Sequence, residues 1–284
     1  MKLKKIVAAL LSAAVLMVFA ASCGNPSQGA SSGGADSVFD LIGDYSLELP
    51  AGTLINDGKL MIGSEIGYPP FEDFDTDGTT PIGLDIDIGT ALAQIFGVEV
   101  EFVNTAFDGI FDGLKANKYD VVLSGATITA ERLKEVLFSD PYVDNYQCIV
   151  IHKGSDTAIS DYPDLAGKAV GVQVSTTSDE TLTDWIDSGA VDCKKSAYDQ
   201  ILNAMSDLKL DRLDAVLCDS SVADGYVARD PDSYEIVWAQ DSDPEQFGIA
   251  IKMENTELQA KVNEALAHLE ECGFMDAVRS DWLS

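Results

Sequence analysis

The chain has 284 residues, 46% of them hydrophobic, with 18 Lys+Arg against 48 Asp+Glu and a formal charge of −30 at pH 7. Such an acid surplus argues against nucleic acid and anionic polymers as partners. The length suits two lobes better than a single core.

Lys2, Lys4 and Lys5 precede an apolar run over residues 6–21, too short and wrongly flanked for a membrane span. A secretory leader is therefore expected over residues 1–22. It closes on Ala20-Ala21-Ser22-Cys23, small residues before a cysteine, which resembles a bacterial lipobox, although Ala20 stands where Leu or Val is usual. Cys23 would then be the lipidated first residue and a membrane anchor. Residues 23–36, rich in Gly and Ser, read as a flexible tether. Residues 37–57 give mixed signals and no element.

Residues 59–66 predict a strand, broken by Gly67-Tyr68-Pro69-Pro70. Residues 85–96 predict an amphipathic helix ended by Gly97, and 98–103 a strand. A helix over 107–117, a buried strand over 119–124 and a short helix over 131–136 follow. This strand-helix alternation implies parallel pairing. Strands are expected over 146–152, 169–174, 215–219 and 247–252, with helices over 177–187, 198–208, 256–271 and 274–282.

Chemistry concentrates between Leu123 and Arg132, where an arginine follows Thr127 by five residues at a strand end. A hydroxyl, backbone amides and a guanidinium could converge there on one carboxylate, which the planar fork of Arg binds through both oxygens. Cys148, Cys193, Cys218 and Cys272 show no CxxC spacing, and only His152 and His268 accompany them, so neither a zinc site nor a Cys–His or Ser–His–Asp arrangement is indicated. The sequence names no disulfide pair. Asp73 to Gly78 fits the first half of a calcium loop, but Leu84 replaces the bidentate Glu, and a hairpin turn is the simpler reading.

Taken in order, several motifs resemble the polar amino-acid family of bacterial ABC-transporter solute-binding proteins. They are Gly83-Leu84-Asp85-Ile86-Asp87-Ile88, Phe107-Asp108-Gly109, Lys118-Tyr119-Asp120, the Thr127-to-Arg132 block, Phe138-Ser139-Asp140-Pro141-Tyr142, Leu165-Ala166-Gly167-Lys168 and Phe247-Gly248-Ile249-Ala250. The resemblance covers residues 59–284. It implies a type II periplasmic-binding-protein fold: two α/β lobes, residues 59–144 plus 247–284 and residues 148–240, joined by two hinge crossings. It also implies an L-amino acid held between the lobes, polar or cationic, and delivered to an ABC permease by a membrane-tethered monomer.

By the same resemblance, Arg132 and Thr127 take the α-carboxylate, with the Gln173-Val174-Ser175-Thr176-Thr177 loop facing them across the cleft. Ser175 stands where the family usually has Gly. Asp219 and the carbonyl of Gly125, within the stretch Ser124-Gly125-Ala126, take the α-ammonium. Tyr68 and Phe107 flank the ligand side chain, Glu65 faces its distal end, and Gln147 lines the pocket from the hinge. No cofactor or metal is implied. The alternatives are a cyclohexadienyl-dehydratase-like enzyme on the same fold, with Glu65 as its acid or base, and a ligand-sensing module.

Overall fold

The computed structural model describes residues 37–283, so the expected leader, tether and lipidated Cys23 lie outside the described residues. Residues 37–57 begin with a 3-10 turn over Val38–Ile42, which packs Phe39 against Phe274. The first lobe then opens with β1 (Lys59–Ser64), the hairpin β2 (Asp73–Phe74) and β3 (Pro81–Ile82), α1 (Leu84–Phe96), β4 (Glu99–Asn104), α2 (Ile110–Lys115), β5 (Val121–Val122) and β6 (Val136–Phe138). Strand β7 (Val143–Asn145) leads into the second lobe: β8 (Gln147–His152), β9 (Ala169–Gln173), α3 (Thr177–Asp187), β10 (Lys194–Tyr198), α4 (Ile201–Lys209), β11 (Ala215–Asp219), α5 (Ser220–Arg229) and β12 (Tyr234–Ala239). The chain returns through β13 (Glu245–Phe247) to β14 (Ala250–Lys252), α6 (Thr256–Glu271) and α7 (Phe274–Trp282).

Each lobe is a five-stranded sheet, ordered β4-β1-β5-β14-β6 and β10-β9-β11-β8-β12. In the first, β1 runs parallel to β4 and β5, and β14 runs antiparallel to β5 and β6. In the second, β9 is parallel to β10 and β11, while β8 is antiparallel to β11 and β12. The crossings β7 and β13 pair with each other, Asn145 opposite Glu245 and Val143 opposite Phe247. Helices cover the sheets, so inner strands such as β8, β9 and β11 read as buried runs, while the edge strands β4 and β10 stay half-exposed. Helix α1 shows why: Leu84, Ile88, Leu92 and Ile95 are all fully buried, and Gly97 ends the helix in the left-handed region at φ 65°, its N–H returning to Ala93 and Gln94.

Several expectations are corrected. The helix expected over 131–136 is one 3-10 turn, Arg132–Lys134, because Val136 and Phe138 are drawn into strand β6 against β14. The helix expected from 107 starts only at Ile110, after Gly109 at φ 81°. Tyr198 closes strand β10, and its helix begins at Ile201. The strand expected over 247–252 is two, divided at Gly248, where a Cβ would meet Ile128 at 2.8 Å. The hairpin expected at Asp73 to Gly78 is present, with β2 paired antiparallel to β3, and Asp77 accepts from the Thr79 and Thr80 N–H groups at 2.7 and 2.8 Å.

Gly83 fixes how α1 meets the turn that carries Tyr68. Its φ is +137°, and a Cβ there would stand 2.1 Å from the Phe71 carbonyl oxygen. Backbone against backbone cannot yield as a side chain can. Gly83→Ala is expected to destabilise the protein by about 3 kcal/mol in urea denaturation; a loss below about 0.5 kcal/mol, the range of a neutral surface change, would contradict this packing.

Candidate functional site

Open α/β sheets present ligand sites at the carboxyl ends of their parallel strands. The expected residues lie there: Glu65 follows β1, Ser124 to Thr127 follow β5, Gln173 ends β9 and Asp219 ends β11. Between the lobes they bound a cavity with about 260 Å³ of empty volume, lined by Glu65, Tyr68, Phe107, Ser124, Gly125, Thr127, Arg132, Gln173, Thr176, Thr177 and Asp219.

Arg132 is held on both sides. Its NH1 donates to the Thr127 carbonyl at 2.8 Å, and its NH2 crosses the cleft to the Ser175 carbonyl at 3.1 Å. The guanidinium lies 5.3 Å from the Phe107 ring centre and 5.2 Å from that of Phe111. Burial pulls its pKa down, and the acids Glu180, Asp219 and Glu245 oppose that shift. Five N–H donors on a guanidinium leave three beyond the two committed here. Ser175, where a glycine was expected, still takes the left-handed conformation at φ 64°; its hydroxyl donates to Asp108 of the first lobe at 2.8 Å. The helix beyond begins at Thr177 and is capped by Thr176, whose hydroxyl accepts from the Asp179 N–H at 3.3 Å.

Asp219 is 4% exposed and occupies the N-cap position of α5, but its side chain makes no cap bond. It accepts instead from the Tyr68 hydroxyl of the other lobe, from Asn145 at 2.8 Å and from Gln147 at 2.8 Å. Burial raises its carboxyl to about 6, with Glu245 adding to the shift and these three donors opposing it. At the opposite end, Glu65 is 2% exposed and takes a 2.6 Å bond from the Gln173 amide. Burial raises Glu65 to about 7, against the lowering effect of Gln173 and the Phe107 N–H. The other amide atom, Gln173 Oε1, is buried without a donor.

Three expected residues do not line the cavity. Ala126 is fully buried in the apolar cluster with Phe107 and Phe138, and its carbonyl accepts from Gly248. Gln147 lies behind Asp219, bonded also to Thr177, Ser178 and Glu245. Ser175 contributes its backbone and the Asp108 bond rather than a wall. Sequence reasoning missed four residues: Asn145 on Asp219, Phe111 under Arg132, Asp108 on Ser175, and Glu245. Glu245 Oε2 accepts from Thr177 at 2.8 Å, Thr127 at 3.2 Å and Gln147 at 3.2 Å, tying both lobes to the hinge strand. Only the β7–β13 pairing brings it there. Among the described residues, no cluster of His, Cys, Asp and Glu suits a metal ion.

The lining thus offers one cation, two buried acids, helix-start amides and aromatic walls, the complement of a zwitterion with a further donor group. The profile of bacterial extracellular solute-binding proteins, family 3, matches residues 60–284. The ABC transporter arginine-binding protein 1 of Escherichia coli (strain K12) is 34% identical over 228 residues, covering 79% of this chain and 90% of that one. An ancestral arginine-binding protein solved bound to arginine is 40% identical with a TM-score of 0.75, covering 80% of this chain and 99% of that one. The ancestral amino-acid-binding protein AncCDT-1, a precursor of cyclohexadienyl dehydratase, is 34% identical with a TM-score of 0.73, over 80% and 96% of the two chains. With its two hinged lobes and a profile match that spans both of them, the chain belongs to family 3 of the bacterial extracellular solute-binding proteins.

Proposed function

We propose that the protein captures L-arginine, or a closely related cationic amino acid, and delivers it to an ABC permease. It does so as a monomer held at the membrane by lipidated Cys23. Charge balance carries the reading. Arg132 takes the α-carboxylate and Asp219 the α-ammonium, which leaves Glu65 as an unbalanced buried acid. A guanidinium supplies the missing charge. Its planar N–H edges suit the Glu65 carboxylate, and Gln173 Oε1, which has no donor, offers a further acceptor on the same residue that bonds Glu65. A neutral side chain leaves Glu65 either charged and without a cationic partner, which burial disfavours, or protonated, which gives up the charge that a guanidinium would pair with.

The same residues explain capture by closure. Tyr68 reaches Asp219, Gln173 reaches Glu65, and Arg132 reaches Ser175, each across the cleft. Each bond needs both lobes in place, and closing excludes water, which strengthens every charged contact inside. The dehydratase reading draws on Glu65, whose proton affinity near neutrality suits an acid–base group. The paired Arg132 and Asp219 favour binding without turnover. Calorimetry against the twenty common amino acids tests the proposal: arginine is expected to bind most tightly, and a preference for glutamate or an aliphatic residue would overturn it.

A further inference from the structure

Behind the cavity wall lie two carboxyl groups that do not line it. Glu72 and Asp85 are both fully buried. Glu72 Oε1 accepts from the Ser124 hydroxyl at 2.6 Å. Asp85 Oδ2 accepts from the Gly125 N–H at 2.8 Å and from the Tyr142 hydroxyl at 3.0 Å. The remaining oxygens, Glu72 Oε2 and Asp85 Oδ1, are buried with no hydrogen-bond donor, and the two carboxyl groups are neighbours that shift each other's proton affinity. Two ionised carboxylates buried as neighbours, each with an oxygen that no donor meets, repel each other in a dry interior, which favours a proton on one of them. No cationic side chain bonds to either one among the described residues. The titratable groups facing the pair are Tyr142 and, on the cavity side, Glu65, which also carries negative charge when ionised.

We propose that Glu72 and Asp85 share a single proton, carried by Glu72, and that this acid–carboxylate pair positions the first-lobe wall of the binding site. Asp85, raised by burial to about 7, is the ionised partner above that pH, because two donors converge on it whereas Glu72 has one. The pair joins three pieces. Glu72 belongs to the turn that carries Tyr68, whose N–H bonds the Glu72 carbonyl at 2.8 Å. Asp85 opens α1. Ser124 and Gly125 are part of the cavity wall. An ordinary salt bridge there would place a full cation beside the site; a shared proton holds the same geometry with one net negative charge.

The proton gives the pair a signature that a merely well-packed contact lacks. In the unfolded chain a Glu ionises near 4.5, while burial beside Asp85 holds Glu72 well above that. The folded state therefore binds more protons than the unfolded one above that pH, and stability falls as pH rises. Glu72→Gln, whose amide donates permanently, and Asp85→Asn each remove the proton from the balance. Glu65 and Asp219 are also raised, but they are present in every variant and cancel in the difference. The test is urea denaturation of native protein, Glu72→Gln and Asp85→Asn between about pH 7.5 and pH 9, where Asp85, raised to about 7, is ionised. The folding constant of each variant relative to native is expected to climb about tenfold per pH unit. Parallel curves would overturn the proposal.

Two measurements keep it falsifiable if a variant folds poorly. Unfolding of the native protein at pH 8 is expected to release about one proton, and release of none overturns the shared proton. Glu72→Ala, which neither donates nor accepts, is expected to bind arginine about tenfold more weakly at pH 7; unchanged affinity overturns the positioning role. That last arm rests on the arginine reading, and its failure differs from that reading's own, in which native protein would not bind arginine either.

Discussion

Arg132→Ala is expected to weaken arginine binding by about 100- to 1000-fold, the loss that follows truncation of one partner of a buried, hydrogen-bonded charge pair. The ligand carboxylate would lose its only lining cation and remain in a cavity whose other charges are acids. The Thr127 and Ser175 carbonyls would lose their donors in the same step, and with the second goes one of the bonds that join the lobes. Arg132→Lys is expected to recover only part of the loss. An ammonium has three donors, too few to hold two carbonyls and both oxygens of a carboxylate, and it lacks the flat face that the guanidinium sets near Phe107 and Phe111. Calorimetry measures both variants, and near-native affinity in Arg132→Ala would remove the residue from the site.

Glu65→Gln is expected to lower arginine affinity by about 100-fold at pH 8 while leaving L-citrulline, the uncharged isostere, nearly unaffected. The pH dependence follows from the same carboxyl. Burial raises Glu65 to about 7, so below that pH the free protein holds a proton that a bound guanidinium must expel. Native affinity for arginine should therefore fall by up to about tenfold for each pH unit below 7. Asp219, raised to about 6, adds its own decline at lower pH, because the α-ammonium needs it ionised. Glu65→Gln should remove the first decline and keep the second. Citrulline, with no charge to pair with Glu65, should show only the second in native protein.

The sequence shows regular elements where apolar spacing is unambiguous. Helices over 177–187, 256–271 and 274–282 and the strand over 215–219 have the boundaries their periodicity gives. It is silent where tertiary pairing decides. Strand β10 reads Lys-Lys-Ser-Ala-Tyr, half-exposed at a sheet edge, with no buried run to announce it. Val136–Phe138 reads as the end of a helix until β14 arrives from more than a hundred residues later to pair with it. The same rule separates the site residues. Arg132, Thr127, Asp219 and Glu65 sit in short motifs with recognisable neighbours. Glu245 lies in an acidic stretch that reads as hinge loop, and only the β7–β13 ladder carries it to Thr127 and Thr177. Asp85 belongs to a recognisable motif, yet nothing local shows that a helical aspartate will be buried against a second acid.

If arginine is the ligand, the buried and otherwise unbalanced Glu65, bonded by the Gln173 amide, selects its guanidinium. Calorimetric titration of the native protein at pH 8 with L-arginine and L-citrulline measures it most directly, because the two ligands share every contact except that charge. Arginine tighter by about 100-fold is the predicted result; equal affinities, or tighter citrulline, would contradict it.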